Sequence, residues 1–510
     1  MLSWRLCLRR SAPVKIPLDR RSPQPVYLQI RQRIHRLIQS GTLQPGDRLP
    51  SIRNLAEAAQ VNKLTVIEAY SGLEADGLIY ARPGSGYFVS EPSGVPPVAP
   101  SRFAPSQEVI IPDRGDMSYF DIYMTSVAAL HQDDMTVFSS GFPSPHDTEI
   151  LQRVARRAFK QMGALLFNYD LPQGQYPLRK QIAQLLVQKG LDTSPDHLIV
   201  TNGSMQGLSM VMQEIVQPGD WVIVESPTYH GTLAILQQIG ARVIGIPMTR
   251  DGMNLDLLAQ YLHSHRPRLI YTISTLHNPT GITTAPSHRQ QLLDLARRYG
   301  CRILEDNAYE GLNFDPVPPP IKALDQDDLV IYAGTFTKTL MPGLRVGYLV
   351  VTGDDYGRLL ERKLLNDLCV STASQAIVSE YLATGYYRRH LAQLCSRNLQ
   401  GRSVMLKALE THFPEEASWT VPNGGLFLWV KLPDRLPMQL VCSEAAAEGI
   451  LVTPGSAFFP NLQGYPAMRL NFSYDAETIE RGMSVLGRIM KRHLAHPSGD
   501  RANGRQHGAV

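Results

Sequence analysis

Gly334-Thr335-Phe336-Thr337-Lys338-Thr339-Leu340-Met341-Pro342-Gly343-Leu344-Arg345-Val346-Gly347 is the stretch on which the reading of this 510-residue chain turns. A lysine is ordinarily a solvated surface charge. Lys338 instead stands between two threonines, just after the apolar run Val330–Gly334 and seven positions before Arg345.

Four further segments gather around it. Thr201-Asn202-Gly203-Ser204-Met205-Gln206-Gly207 follows an apolar run and opens a helical pattern, and helix starts offer N–H groups to phosphate. Tyr229 ends Glu225-Ser226-Pro227-Thr228-Tyr229, and Asn278 lies in His277-Asn278-Pro279-Thr280-Gly281. Asp306 and Tyr309, in Leu304-Glu305-Asp306-Asn307-Ala308-Tyr309, follow the strand-like run Arg302–Glu305. Carboxyl ends of strands are where open α/β sheets place ligands. Each segment alone has a plainer reading: a helix start, a core aromatic, a helix cap. Together they supply what pyridoxal phosphate requires: a lysine for the Schiff base, an acid for the pyridine nitrogen, phosphate donors and an aromatic lid. The acid keeps the ring nitrogen protonated, so that the cofactor acts as an electron sink.

From about residue 116 to 494, short apolar runs alternate with helical stretches: His197–Thr201, Trp221–Glu225, Val243–Pro247, Leu269–Ile273, Arg302–Glu305, Val330–Gly334 and Arg345–Val351. This alternation predicts a parallel or mixed sheet with crossover helices. Ahead of it, residues 91–105 are Pro- and Ser-rich and read as a semi-stiff linker, which we extend to 115. Residues 1–22 form an extension and 495–510 a polar tail.

Residues 23–90 form a separate basic module. Residues 1–90 carry 13 Lys and Arg against 6 Asp and Glu, net +7, which leaves −3 for the rest of a chain of net charge +4. That asymmetry suggests an anionic partner for this module. Tyr27, Ile30, Ile34 and Ile38 recur at helical spacing, with Gly41 at the expected cap. A second helix starts at Ser51, a third at Asn62, and Leu78–Ala81 and Tyr87–Val89 flank a turn at Arg82-Pro83-Gly84-Ser85-Gly86. Two helices joined by the tight turn Gln60-Val61 can set the second into a DNA major groove. The candidate DNA contacts are Ser51, Arg53, Asn62, Lys63, Thr65, Arg82 and Gly84. A three-helix bundle with a solvated basic face would show the same spacing.

Composition excludes other classes. With 43% hydrophobic and 19% charged residues, the chain is of ordinary globular type, and no run is long and apolar enough to span a bilayer. Arg5, Arg9 and Arg10 interrupt the first apolar positions, against a signal peptide. The five cysteines show neither Cys-x-x-Cys nor metal-ligand spacing, which fits reduced thiols in a cytoplasm and no metal site.

Residues carry the reading further. Pro25-Val26-Tyr27-Leu28-Gln29-Ile30, Pro45-Gly46-Asp47-Arg48-Leu49-Pro50-Ser51-Ile52-Arg53-Asn54-Leu55-Ala56 and Thr65-Val66-Ile67-Glu68-Ala69-Tyr70 resemble the GntR winged-helix family. Asn62-Lys63 stands where that family usually has Ser-Arg, and lysine lacks the bidentate fork of arginine. The large domain resembles fold-type-I aminotransferases, and the fusion resembles the MocR-like branch of GntR regulators. The resemblance implies an α+β winged helix followed by an α/β domain with a mixed, mostly parallel sheet and a smaller α+β subdomain.

It also implies roles. Lys338 carries the Schiff base, Asp306 faces the pyridinium, Asn278 and Tyr309 hold the ring oxygen, and Tyr229 stacks on the ring. Gly203, Ser204, Met205 through its backbone, Gln206, Thr335, Thr337 and Arg345 cradle the phosphate. Tyr169 serves the phosphate of a partner subunit in a homodimer, and Arg469 binds a substrate carboxylate. Three functions follow as alternatives. One is a cytoplasmic, nucleoid-associated bacterial regulator that binds operator DNA and responds to an amino-bearing effector. Another is an aminotransferase with a DNA-binding passenger, and the third is a dimerising scaffold.

Overall fold

The structure, a computed structural model, describes residues 26–39, 43–75, 78–82, 86–89, 135–143, 148–460 and 464–495, together with Met124 and Leu462. The chain divides into two compact units, residues 1–100 and 101–510.

In the first unit, α1 (Val26–Gln39), α2 (Ile52–Ala59) and α3 (Lys63–Ala75) precede a hairpin of β1 (Ile79–Arg82) and β2 (Gly86–Val89). Ile30, Ile34, Leu55, Val66, Tyr70 and Leu73 form its core. The hairpin alternates as a half-buried strand pair must: Ile79 and Val89 face inward, while Arg82 is exposed with its guanidinium over the Tyr80 and Phe88 rings. Gly41, Gly84, the linker at 91–115, the extension at 1–22 and nearly all of the tail at 495–510 lie outside the described residues.

The second unit opens with β3 (Thr136–Val137). Its main sheet contains β4 (Leu198–Asn202), β5 (Trp221–Ser226), β6 (Arg242–Thr249), β7 (Gly252–Met253), β8 (Leu269–Thr272), β9 (Arg302–Asp306), β10 (Val330–Thr335) and β11 (Val346–Val350). Their spatial order is β4-β11-β10-β9-β8-β5-β6-β7. Strands β6, β5, β8, β9 and β10 run parallel, while β11 is antiparallel to both neighbours. The seven apolar runs read from the sequence coincide with strands of this sheet. Strands β4, β8 and β10 are buried almost throughout, as a sheet covered on both faces requires.

A smaller subdomain carries β12 (Ser418–Trp419), β13 (Phe427–Lys431), β14 (Ile450–Leu451), β15 (Thr453–Pro454) and β16 (Ala467–Asn471). Strands β12-β13-β16-β15 form an antiparallel sheet, and β14 pairs with β3. Met405 from the helix Tyr386–His412 and Leu486 from the helix Ala476–Ala495 pack on Leu428 and Leu470. Among the described residues no helix is long and apolar enough to cross a membrane.

Candidate functional site

The polar ends converge because the sheet brings one edge of five strands together. Asn202 closes β4 and Asp306 closes β9, the Lys338 turn follows β10, Tyr229 lies beyond β5, and Arg345 immediately precedes antiparallel β11. Ser204, Met205, Tyr229, Asn278, Asp306, Tyr309, Thr337, Lys338 and Arg345 line a single pocket there, with Ile273 and Ala308.

The pocket's anion end is built by close approach. Gly203 has φ of +72°, and a Cβ there would fall 2.5 Å from the Arg345 guanidinium; a Cβ on Gly347 would fall 2.5 Å from the Gly203 backbone. Arg345 donates to the Asn202 carbonyl at 3.0 Å, at the start of the helix Gly203–Ile215. Helix N–H groups and an exposed guanidinium thus face the same space, an arrangement suited to phosphate.

The opposite end holds the charges. Tyr271 donates to Asp306 Oδ2 at 2.8 Å, while Oδ1 is buried without a hydrogen bond. Burial pushes Asp306 up to about 6, against the Tyr271 hydroxyl, the Ala308 amide and the Lys338 charge, with Glu225 adding to the rise. Desolvation, then the charges of Arg469 and Arg345, lower Lys338 to about 8, against the pull of Asp306. A buried acid with one orphaned oxygen, opposite an amine made nucleophilic near neutral pH, fits the pyridine nitrogen and aldehyde of pyridoxal phosphate.

Arg469, on β16, is buried and donates to Asn278 Oδ1 at 2.8 Å and to the Ser139 carbonyl at 2.5 Å. Its guanidinium lies over Phe427 and Phe458, 4.2 and 5.0 Å from the ring centres. Desolvation lowers it to about 10. A strand arginine is commonly a surface residue; this one comes within hydrogen-bond reach of the pocket residue Asn278.

Four predicted cofactor residues do not line this pocket. Gln206 accepts the Asn202 amide and donates to Asp367, so its side chain ties the turn together. The Thr335 hydroxyl lies against Thr337 and the Val346 carbonyl, bracing the lysine turn from inside. Gly203 acts through its backbone. Tyr169 is 85% exposed, beside exposed Phe167 and Leu171. Met205 contributes more than its backbone, because Tyr229 donates to its sulfur at 3.4 Å.

Sequence reasoning missed two features. The loop Ser139-Ser140-Gly141 closes over the amine: Tyr309 donates to the Gly141 carbonyl at 3.0 Å, and Asn471 holds the Ser140 carbonyl at 3.0 Å. A Cβ on Gly141 would stand 3.5 Å from Lys338 Nζ. The run Ser139-Ser140-Gly141-Phe142-Pro143 carries a turn signal that pointed to it. The second is Tyr271. A wider cleft of about 1090 Å³ opens at the amino-terminal ends of β5, β8 and β9, where Arg302 and Arg358 pair with Asp355 and Arg268 with Asp220.

In the amino-terminal unit, two candidates also serve as helix caps. The Ser51 hydroxyl accepts the Asn54 amide and caps α2, and Asn62 Oδ1 accepts the Leu64 amide ahead of α3. Arg53 pairs with Glu57 at 3.0 Å on the exposed side of α2. Lys63 is exposed and Thr65 partly so; Leu64 and Ile67, 69% and 40% exposed, add apolar groups to the same helix.

Residues 133–486 match the family of class I and II aminotransferases, and residues 26–89 match the gntR family of bacterial regulatory proteins. The chain belongs to the aminotransferase class I and II family, with a GntR helix-turn-helix domain fused ahead of it. It is 31% identical to the HTH-type transcriptional regulator YdfD of Bacillus subtilis over 92% of this chain and 96% of that protein. It is 34% identical to aromatic-amino-acid aminotransferase 1 of Thermococcus litoralis over 71% of this chain and 89% of that protein. The kynurenine aminotransferase structure of Pyrococcus horikoshii superposes with a TM-score of 0.69 at 30% identity, covering 74% of this chain and 96% of the other. The large domain is therefore a fold-type-I domain of the pyridoxal-phosphate-dependent class, in a fusion of MocR type.

Proposed function

We propose that this GntR–aminotransferase fusion is a ligand-responsive transcription regulator. Lys338 would hold pyridoxal phosphate through its amine, and binding of an amino acid, an amine or the cofactor itself would change the winged helix's affinity for operator DNA. The observation that carries the reading is the combination, in one chain, of a DNA-binding module with a pocket that joins Lys338, Asp306 and Arg345. A bare dimerisation scaffold has no use for that set. When bound, the cofactor supplies an electrophilic carbon and an electron sink. Around it, Asp306 would face the ring nitrogen and favour its proton, Asn278 and Tyr309 would hold the ring oxygen, Tyr229 would cover the ring, and Ser204, Thr337 and Arg345 would anchor the phosphate. Arg469 orients a ligand carboxylate.

The working unit is a cytoplasmic homodimer. Tyr169, exposed with Phe167, Leu171 and Leu365, is available to a second subunit rather than to its own pocket. Three exposed aromatic and aliphatic side chains within five residues, Phe167, Tyr169 and Leu171, suit an interaction surface.

The test is direct. Purified protein mixed with pyridoxal phosphate acquires an absorbing adduct that borohydride fixes, and Lys338→Ala does not. An adduct that persists at the same site in Lys338→Ala removes the assignment. A second reading, a working aminotransferase, is favoured by the buried Arg469 and by the similarity to enzymes; the whole-molecule test below separates the two.

A further inference from the structure

We infer that Tyr271 is a positioning residue for the acid beneath the cofactor ring: its hydroxyl fixes Asp306 by one oxygen and leaves the other aimed at the ring nitrogen. The inference rests on the reading of the pocket as a pyridoxal-phosphate site.

The geometry comes from strand register. Tyr271 on β8 lies opposite Leu304 on parallel β9, and Asp306, two residues on, shares that face. The side chains therefore meet diagonally across adjacent strands, hydroxyl to Oδ2 at 2.8 Å, both buried. Asp306 Oδ1, left without a hydrogen bond, is the oxygen available to the pocket. A carboxylate with two free rotors would lose this direction; one held by a neighbouring phenol keeps it.

Electrostatics require the donor as well. Asp306 faces the Tyr271 hydroxyl, the Ala308 amide and the Lys338 amine, and Glu225 nearby adds like charge. Tyr271 faces Asp306, Glu225 and the Thr232 hydroxyl; burial, then Asp306 and Glu225, keep its phenol protonated well above the ordinary range, against the Thr232 hydrogen bond. It is thus a permanent donor. Its hydrogen bond favours ionised Asp306 against burial and against Glu225, which in turn favours a proton on the ring nitrogen. A protonated ring disfavours a protonated Schiff base, so loss of the phenol should raise the pH at which the Schiff base deprotonates.

The experiment uses the full chain loaded with pyridoxal phosphate, with Tyr271→Phe, Asp306→Asn and the double variant. We expect Tyr271→Phe to weaken cofactor affinity several-fold and to move the spectral titration midpoint to higher pH. In the Asp306→Asn background the same change should have little further effect. Wild-type affinity and midpoint in a folded Tyr271→Phe protein would overturn the inference. So would an effect that persists undiminished without Asp306, since that marks a purely structural tyrosine. A wild-type chain that takes up no cofactor would overturn this inference and the pocket assignment together.

Discussion

Lys338 and Asp306 titrate toward one another, and that has a measurable consequence. Lys338, lowered to about 8, is deprotonated in the folded protein roughly two pH units before an ordinary lysine. Capture of pyridoxal phosphate by the cofactor-free protein should therefore rise with pH to a midpoint near 8, followed as borohydride-trapped adduct; a midpoint near 10 would refute the environment described. For stability the sign is also fixed. A depressed lysine contributes stability present above its unfolded value and lost as pH falls through about 8. Asp306, raised to about 6, contributes the reverse: fully present below its ordinary value near 4 and lost as pH rises through about 6. Gly203 offers a second test. Its φ of +72° and the Arg345 guanidinium in the path of a Cβ mean that Gly203→Ala must both strain the turn and push the arginine away. We expect a loss of about 1–3 kcal/mol in stability and at least tenfold weaker cofactor binding, measured by thermal melting and absorbance titration. The residues legible in the sequence were those whose chemistry demands a type: Lys338, Asp306, Arg345, Asn278. Tyr271 and Gly141 were not legible. They reach the site across separations of 35 and 168 residues, through strand register and loop packing that no local pattern encodes. Gln206 and Thr335 show the converse, since a motif names a polar residue without telling which way its side chain turns.

At the scale of elements, the strands were readable because a sheet buried on both faces needs continuous apolar runs, and the helix starts because they need caps. Ser51 and Asn62 have a structural part beside the DNA contact expected of them: the Ser51 hydroxyl oxygen and Asn62 Oδ1 each accept a backbone amide at a helix start, while the hydroxyl proton and the amide NH2 stay available to DNA. Ser51→Ala should accordingly cost about 1 kcal/mol of stability in the amino-terminal module, read by its unfolding transition. Arg53 is different. Its surface pair with Glu57 contributes little to stability, so the guanidinium can be released to DNA at small cost. Arg53→Ala should leave unfolding nearly unchanged and weaken operator binding by about 1–3 kcal/mol if it reads a base, less if it touches phosphate. Equal operator affinity in the variant would remove Arg53 from the interface. The exposed Leu64 and Ile67 were passed over because an apolar residue in a helix reads as core until the burial is seen; on the recognition helix they are suited to thymine methyl groups.

For the whole molecule, the question is whether occupancy of the pocket is reported to DNA or consumed in turnover. On the proposed reading both uses would begin alike: Lys338 would give up its hold on the cofactor to an amino-bearing ligand, and Arg469 would meet that ligand's carboxylate. Turnover needs more: Lys338 must carry the proton between carbons, and the subdomain bearing β13 and β16 must close and then release a keto product. A regulator needs only that the liganded and unliganded shapes differ, and a ligand shifts their balance by no more than its differential affinity for them. The buried guanidinium of Arg469 is held by Asn278 and the Ser139 carbonyl, so a carboxylate bound to it would be linked to the loop at 139–141 and its arrival would be felt beyond the ring. We expect at least one amino acid or amine to change operator affinity several-fold, equivalent to about 1–3 kcal/mol of coupling, with slow or negligible keto-acid formation. The deciding measurement scans amino acids and amines on the full-length, cofactor-loaded protein, recording spectral change, keto product and operator binding in parallel. Arg469→Gln should abolish the response to carboxylate-bearing ligands while still permitting borohydride-fixed cofactor uptake, with the spectral titration shifted to higher pH because a charge that lowers Lys338 is gone. Efficient turnover, with no ligand altering DNA affinity, would make the chain an aminotransferase that carries a DNA-binding module.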